Sequence, residues 1–182
     1  MAITSLDTHQ TVKDLTAAGF ICRPDPAVMR LKYTKLITNL GNALQAITLY
    51  HRSDESAREI MRRVRQEAID CFNAGGIPFA DTDEYRDLVG SHFKQAEIPG
   101  AQRGGSSTWQ SLAKGSSRLE TDYLNGEIVL LGRLHGIPTP YNAALRRLSQ
   151  QLAAEGNRPG TYSIADVEAL AARLGATPRP AQ

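Results

Sequence analysis

Lys35, Asn39 and Asn42 stand at i, i+4 and i+7, a spacing that puts an ammonium and two carboxamides on one helix face. Asn is a poor residue for a helix interior, and here two of them sit beside Gly41. An ammonium can polarise or protonate a carbonyl oxygen, and amides both donate and accept, so the three would suit a polar organic acid. The plainer reading is that both Asn side chains face solvent or satisfy nearby backbone. A second constellation comprises Ser106, Ser107, Glu120, Asp122 and Asn125. Here too a plainer reading exists. Ser117 and Glu120 form a capping box, and Asp122 in a first helical turn complements the helix dipole.

Other chemistries lack their motifs. There is no GxGxxG after a strand, no GxxxxGK[ST] and no GxSxG elbow. His9, His51, His92 and His135 are scattered, without metal-ligand spacing on one helix. Arg62, Arg63 and Arg65 could touch phosphates, but acids interleave with them and a solvated helix face explains them better.

Helical periodicity supplies the elements that must position these residues. Residues 8–18 read as a short helix closed by Gly19, followed by an extended run over 20–23. Asp25 and Pro26 open a long helix to about Tyr50, whose inward residues include Leu36, Ile37, Leu40, Leu44 and Ile47. Ser53 or Asp54 starts a helix to about Asn73, with Ala57, Ile60, Val64, Ala68 and Phe72 inward and Glu67 outward with the arginines. Asp81 and Glu84 form a capping box for a short helix to about Val89. A loop covers 91–105, and a short helix runs from Ser106 or Ser107 to Ala113. Ser117 opens a helix through Leu134, and Thr139-Pro140 opens another to about Ala154. Ser163 with Asp166 caps a last helix ending at Gly175, before a disordered tail. The expected fold is all-α.

The 182 residues carry 21 Lys+Arg against 19 Asp+Glu, with 41% hydrophobic and 22% charged. That is globular composition in a chain long enough to bury a core without disulfide or metal staples. The near-neutral balance argues against nucleic-acid binding. No apolar run approaches a membrane span and no signal peptide is present, so a cytoplasmic protein is expected. Cys22 and Cys71 match no zinc or redox spacing and are expected as buried free thiols.

The two constellations together resemble a known family. The segment Lys35-Leu-Ile-Thr-Asn39-Leu-Gly-Asn42-Ala-Leu-Gln-Ala46 is similar to the Lys/Asn helix of the ketopantoate reductase (2-dehydropantoate 2-reductase) family. Ser106-Ser107-Thr-Trp-Gln110, Leu119-Glu120-Thr-Asp122-Tyr123-Leu-Asn125-Gly126 and His135-Gly136-Ile-Pro138-Thr139-Pro140-Tyr-Asn142 resemble its C-terminal signature. The likeness covers about residues 8–152. It implies a helical bundle of the 6-phosphogluconate dehydrogenase C-terminal-domain type, acting with a Rossmann domain that binds NADP(H).

By that resemblance Lys35 is the catalytic lysine, and Glu120 is the carboxylate that orients it and binds the substrate hydroxyl. Asn39 and Asn42 are substrate-binding amides, and Ser107 holds the substrate carboxylate. Asn42 stands seven after the lysine where many relatives place the second Asn at eight. Gly104 stands where relatives often carry Asn.

Residues 1–24 are expected to be a helix–strand remnant of the end of a missing Rossmann domain. Residues 25–155 would form the substrate-binding and dimerisation domain, and 156–182 a C-terminal helical extension with its tail. The expected partners are a 2-keto acid, the absent Rossmann domain and a second copy of the chain, with no nucleic acid or membrane. Alone, the chain is expected to bind no cofactor tightly and to be inactive as an isolated fragment. The alternative is a non-catalytic helical dimerisation or interaction module that keeps the fold.

Overall fold

The computed structural model describes residues 8–51, 53–90, 105–115, 119–156 and 158–176. Among them every regular element is helical: α1 (Thr8–Ala17), α2 (Val28–Asn39), α3 (Gly41–Thr48), α4 (Glu55–Ala74), α5 (Thr82–Gly90), α6 (Ser107–Ala113), a 3₁₀ turn (Glu120–Asp122), α7 (Asn125–His135), α8 (Pro140–Ala154) and α9 (Ile164–Ala176). The all-α expectation holds. Residues 91–104 of the expected loop over 91–105, the Ser117 half of its capping box and the tail 177–182 lie outside the described residues.

The core is one cluster drawn chiefly from α3, α4, α7, α8 and α9, with Ile37 of α2 and Leu112 of α6. Leu44, Ile47, Ile60, Phe72, Ile128, Leu145, Leu152 and Val167 are fully enclosed in it. Tyr33 meets Phe72 edge-on with ring centroids 5.1 Å apart, which seats α2 on α4.

The expected long second helix is interrupted at Leu40. Leu40 closes α2 by donating its N–H to Leu36 and is at the same time the N-cap of α3. The local sequence favours a break, with Asn39, Gly41 and Asn42 all weak helix formers. Gly41 also packs tightly: a Cβ there would lie 2.4 Å from Met61 Cε.

Glu67 corrects the outward assignment. It is 8% exposed, and its carboxylate lies at the start of α8. Tyr141 N–H donates to Oε1 at 2.8 Å and Asn142 N–H to Oε2 at 2.9 Å. Thr139, at the N-cap position of α8, makes no side-chain cap. A residue on another helix therefore satisfies the orphan N–H groups and complements the dipole of α8.

Glu84 likewise departs from its capping box and pairs with Arg30, tying α5 to α2. Ser163 and Asp166 do form the reciprocal box, with Ser163 N–H to Oδ2 at 2.8 Å and Asp166 N–H to Ser163 Oγ at 3.2 Å. Asp54 caps α4 through Ala57 N–H. On the outer face of α4, Glu59 accepts from both Arg62 and Arg63, which holds its carboxyl down at about 2.

The segment after α8 is built into the domain. Gly160 N–H donates to Ala46 O and Tyr162 N–H to Ile47 O, both at 3.0 Å. Those carbonyls belong to the last turn of α3, where no helical partner remains for them. Helix α9 then buries Val167, Leu170 and Ala171 against α8 and α4.

The N-terminal segment differs. Helix α1 forms over the expected residues, yet none of them is buried. Residues 20–25 form no strand, and Phe20 and Ile21 are 63% and 80% exposed. An extended run needs a neighbouring strand to become a sheet, and none is present among the described residues. The buried-thiol expectation holds for Cys71, but Cys22 is only half-buried, because its segment lies off the core.

Candidate functional site

Thr34 and Ile37 turn into the core, which leaves Lys35 exposed one turn before the half-buried Asn39. Asn42 is half-buried just after the break at Leu40. Lys35 makes no ion pair among the described residues, with Glu120 or with any other carboxylate.

Helix α6 is fastened directly beside Asn42. Ser106 accepts from Trp109 N–H as the N-cap of α6, donates its hydroxyl to Asn42 O at 3.1 Å, and donates its N–H to Gln45 Oε1 at 3.0 Å. Gly105 allows this approach: a Cβ there would lie 2.5 Å from Gln45 Nε2. With Ser106 committed to structure, Ser107 is the exposed hydroxyl. Its Oγ donates to Glu120 Oε2 at 3.2 Å. Two of the site residues expected from sequence are thus in contact, and a third is anchored one residue away from them.

The two acids of the 3₁₀ turn do different work. Asp122 accepts from Arg146 at 2.7 Å and from Gln150 at 2.6 Å, which pins the turn to α8. The Arg146 guanidinium holds the Asp122 carboxyl below its ordinary range. The expected helix from Ser117 through Leu134 therefore begins only at Asn125, and Asp122 serves as an anchor instead of a dipole partner. Glu120 is exposed and turned to Ser107.

A network that sequence reasoning missed lies beneath the site. Asn125 Nδ2 donates to Asn142 Oδ1 at 2.9 Å and to Leu40 O at 3.2 Å. Asn142 Nδ2 donates to Glu67 Oε2 at 2.7 Å and to Val64 O at 3.0 Å. Burial raises the Glu67 pKa, opposed by the hydrogen bonds from Asn142 and Tyr141. One signal was available: Glu67 follows Val64 by three and precedes Cys71 by four, which is the inward stripe of α4.

Among the described residues no strand leads through a glycine turn into a helix N-terminus. Pyrophosphate rests on backbone N–H groups at a helix N-terminus, reached by a glycine turn after a strand. Five of the six left-handed glycines among the described residues follow helix C-termini instead: Gly19, Gly76, Gly115, Gly136 and Gly156 come after α1, α4, α6, α7 and α8, while Gly160 lies in the turn that bonds Ala46 O. Carbonyls face such turns, which is the wrong polarity for phosphate. No cluster of three or more His, Cys, Asp or Glu suited to a metal ion occurs among the described residues, and no helix there is long and apolar enough to cross a membrane.

The arrangement is a helical domain in which Ser107 meets Glu120 and the adjacent Ser106 is tied to Asn42 on the α2–α3 polar face. The family model described as ketopantoate reductase PanE/ApbA C terminal matches residues 27–153, the stretch from α2 to α8. The chain belongs to this family. A solved structure, a PanE/ApbA family ketopantoate reductase from Ralstonia eutropha JMP134, is 32% identical to it with a TM-score of 0.66. That likeness covers 81% of this chain and 49% of the other, so the chain spans about half the length of that relative. No curated protein is a match.

Proposed function

We propose that this chain is the substrate-binding domain of an NADP-dependent reductase that converts a 2-oxo acid to the 2-hydroxy acid, with ketopantoate as substrate and pantoate as product. The observation that carries the reading is the Ser107–Glu120 hydrogen bond, formed beside the α2–α3 polar face in a chain of this family. Lys35 would protonate or polarise the ketone oxygen, and Glu120 would orient that ammonium and accept from the substrate hydroxyl. Asn39 and Asn42 line the acid, and Ser107 binds its carboxylate. A serine has one proton to donate. A substrate carboxylate that takes it releases Glu120, which is then free to turn toward Lys35.

In this reading NADP(H) is held by a Rossmann domain that the family likeness implies, the matched relative being about twice the length of the matched stretch. The 182 residues alone are therefore proposed to be inactive. In the same reading residues 1–24 are the end of that domain, 25–155 bind substrate, and 156–182 extend the C-terminus. A homodimer belongs to it too, with Tyr123, Leu130 and Leu134 as exposed apolar residues on and just before α7. Two unpaired thiols fit a reducing, cytoplasmic compartment.

Joining the chain to a relative's cofactor domain and following NADPH oxidation with ketopantoate tests the reading. Turnover should appear, and Lys35→Ala should lower kcat by about 10²–10⁴-fold, the usual worth of a general acid. Asn42→Ala should lower it far less. A joined protein that folds but shows no turnover, or one indifferent to Lys35→Ala, contradicts it.

A further inference from the structure

Asn125 is 0% exposed and therefore touches no substrate, yet its carboxamide reaches the break in the helix that carries the candidate site. The direction of that amide is fixed by its surroundings. Asn142 gives both Nδ2 protons away, to Val64 O and Glu67 Oε2, so it faces Asn125 with its oxygen. Asn125 must answer with its nitrogen, whose second proton goes to Leu40 O. Glu67, at the far end of the chain of amides, sets the polarity of all of them.

Leu40 O lies between Asn39 and Asn42, and Asn125 lies five positions after Glu120. The backbone between them is tight, with Tyr123 N–H and Leu124 N–H both bonded to Glu120 O at 2.9 and 3.0 Å. Helix α7 is itself packed on α4 and α8, and Asp122 ties the turn to α8. The Asn125 amide therefore joins the α2–α3 break to the α7 side of the Glu120 turn from beneath, as Ser106 and Ser107 join them from above. Among the described residues Asn125 Oδ1 has no hydrogen-bond partner. The donor end of the same amide carries its two hydrogen bonds, to Leu40 O and Asn142 Oδ1.

We propose that Asn125 is a positioning residue for the 2-oxo acid site, holding the α2–α3 break in register with the Glu120 turn. This rests on the function proposed above. The test uses the full 182-residue chain with Asn125→Ala, Asn125→Asp and the milder Asn125→Ser, which keeps one small donor should the others unfold. Val167→Ala, in the core at α9, serves as a destabilised control. Amide hydrogen exchange over residues 40–42 needs no ligand. Ketopantoate titration reads the site.

The expected result is exchange at 40–42 at least about tenfold faster in the Asn125 variants and ketopantoate bound about tenfold more weakly, since small misplacements are costly in a site of this kind. Val167→Ala should show neither change, even with an equal loss of melting temperature. Wild-type binding kept in the Asn125 variants, or affinity that merely follows melting temperature across all variants, overturns the proposal alone. No binding by the unmutated chain overturns the substrate reading and takes this one with it.

Discussion

Ser107 Oγ and Glu120 Oε2 lie 3.2 Å apart, joining the first turn of α6 to the 3₁₀ turn before α7. The neighbouring serine, Ser106, is spent on the N-cap and on Asn42 O. Two adjacent hydroxyls thus have separate tasks, and substitution should separate them. Ser106→Ala removes a cap and a tether and should cost about 1–2 kcal/mol in a denaturant melt. Ser107→Ala should leave that melt within about 0.5 kcal/mol, since exposed substitutions rarely do more. In a cofactor-joined protein it should raise KM for ketopantoate about tenfold. Equal melts for the two variants would contradict this division.

Glu67 predicts a pH dependence of stability. Its carboxyl is raised by burial above the ordinary value of 4.5. The folded chain therefore holds this proton more tightly than the unfolded chain does. The stability tied to the shift is fully present below about pH 4.5 and is lost as pH rises through the folded value. Glu67→Gln should flatten that part of the curve. It should also cost about 1–3 kcal/mol at neutral pH, because an amide NH₂ would face a backbone N–H at the start of α8. Denaturant midpoints for both proteins from pH 4 to 8 provide the check. Asp122, lowered by Arg146, acts with the opposite sign: its contribution is present above its ordinary 3.8 and is lost as pH falls through the lower folded value.

The bundle was legible where periodicity and caps speak locally. Asp54 and the Ser163/Asp166 box stand where the sequence puts them. What was not legible depends on partners distant in sequence. Glu67 reads as one more charge on an arginine-rich helix until Asn142, 75 positions away, turns it inward. Glu84 fits a capping box until Arg30 competes for it. Leu40 interrupts α2 and α3 within a continuous apolar pattern, and the Asn125 amide at that break comes from 85 positions away. That Ser107 and Glu120 belong to one site could be expected only from resemblance, which paired Glu120 with Lys35, and their direct hydrogen bond was not legible, since 13 positions of chain set no distance.

Helix α9 lies beyond the stretch matched by the family model, yet it closes the core. Leu170→Ala should therefore cost about 2–5 kcal/mol, as truncation of a buried leucine does. Gly160→Ala should also destabilise, because φ is +83° and the added methyl would meet Leu49 Cδ1 at 2.5 Å. Thermal melts of both variants are the measurement. Wild-type melting in both would make α9 an appendage.

The two thiols should differ sharply in reactivity. Cys71 is buried, and burial raises its thiol to about 11, so little thiolate exists at neutral pH. Cys22 is half-buried in the segment off the core. A chromogenic disulfide reagent should modify one thiol rapidly in the native chain and the second only after unfolding. Two fast thiols would contradict the packing of α4 on α7, where Cys71 Sγ lies 3.7 Å from Ile128 O.

The most direct test of the site is a titration of the isotope-labelled 182-residue chain with ketopantoate, followed by amide chemical shifts. The expected result is saturable shifts gathered at Lys35, Asn39, Asn42, Ser107 and Glu120, with an affinity near about 1 mM, roughly 4 kcal/mol. Ser107→Ala should weaken them. The absence of saturable shifts, or shifts gathered on α1 or α9 instead, would contradict the account and favour a helical interaction module that has kept the fold.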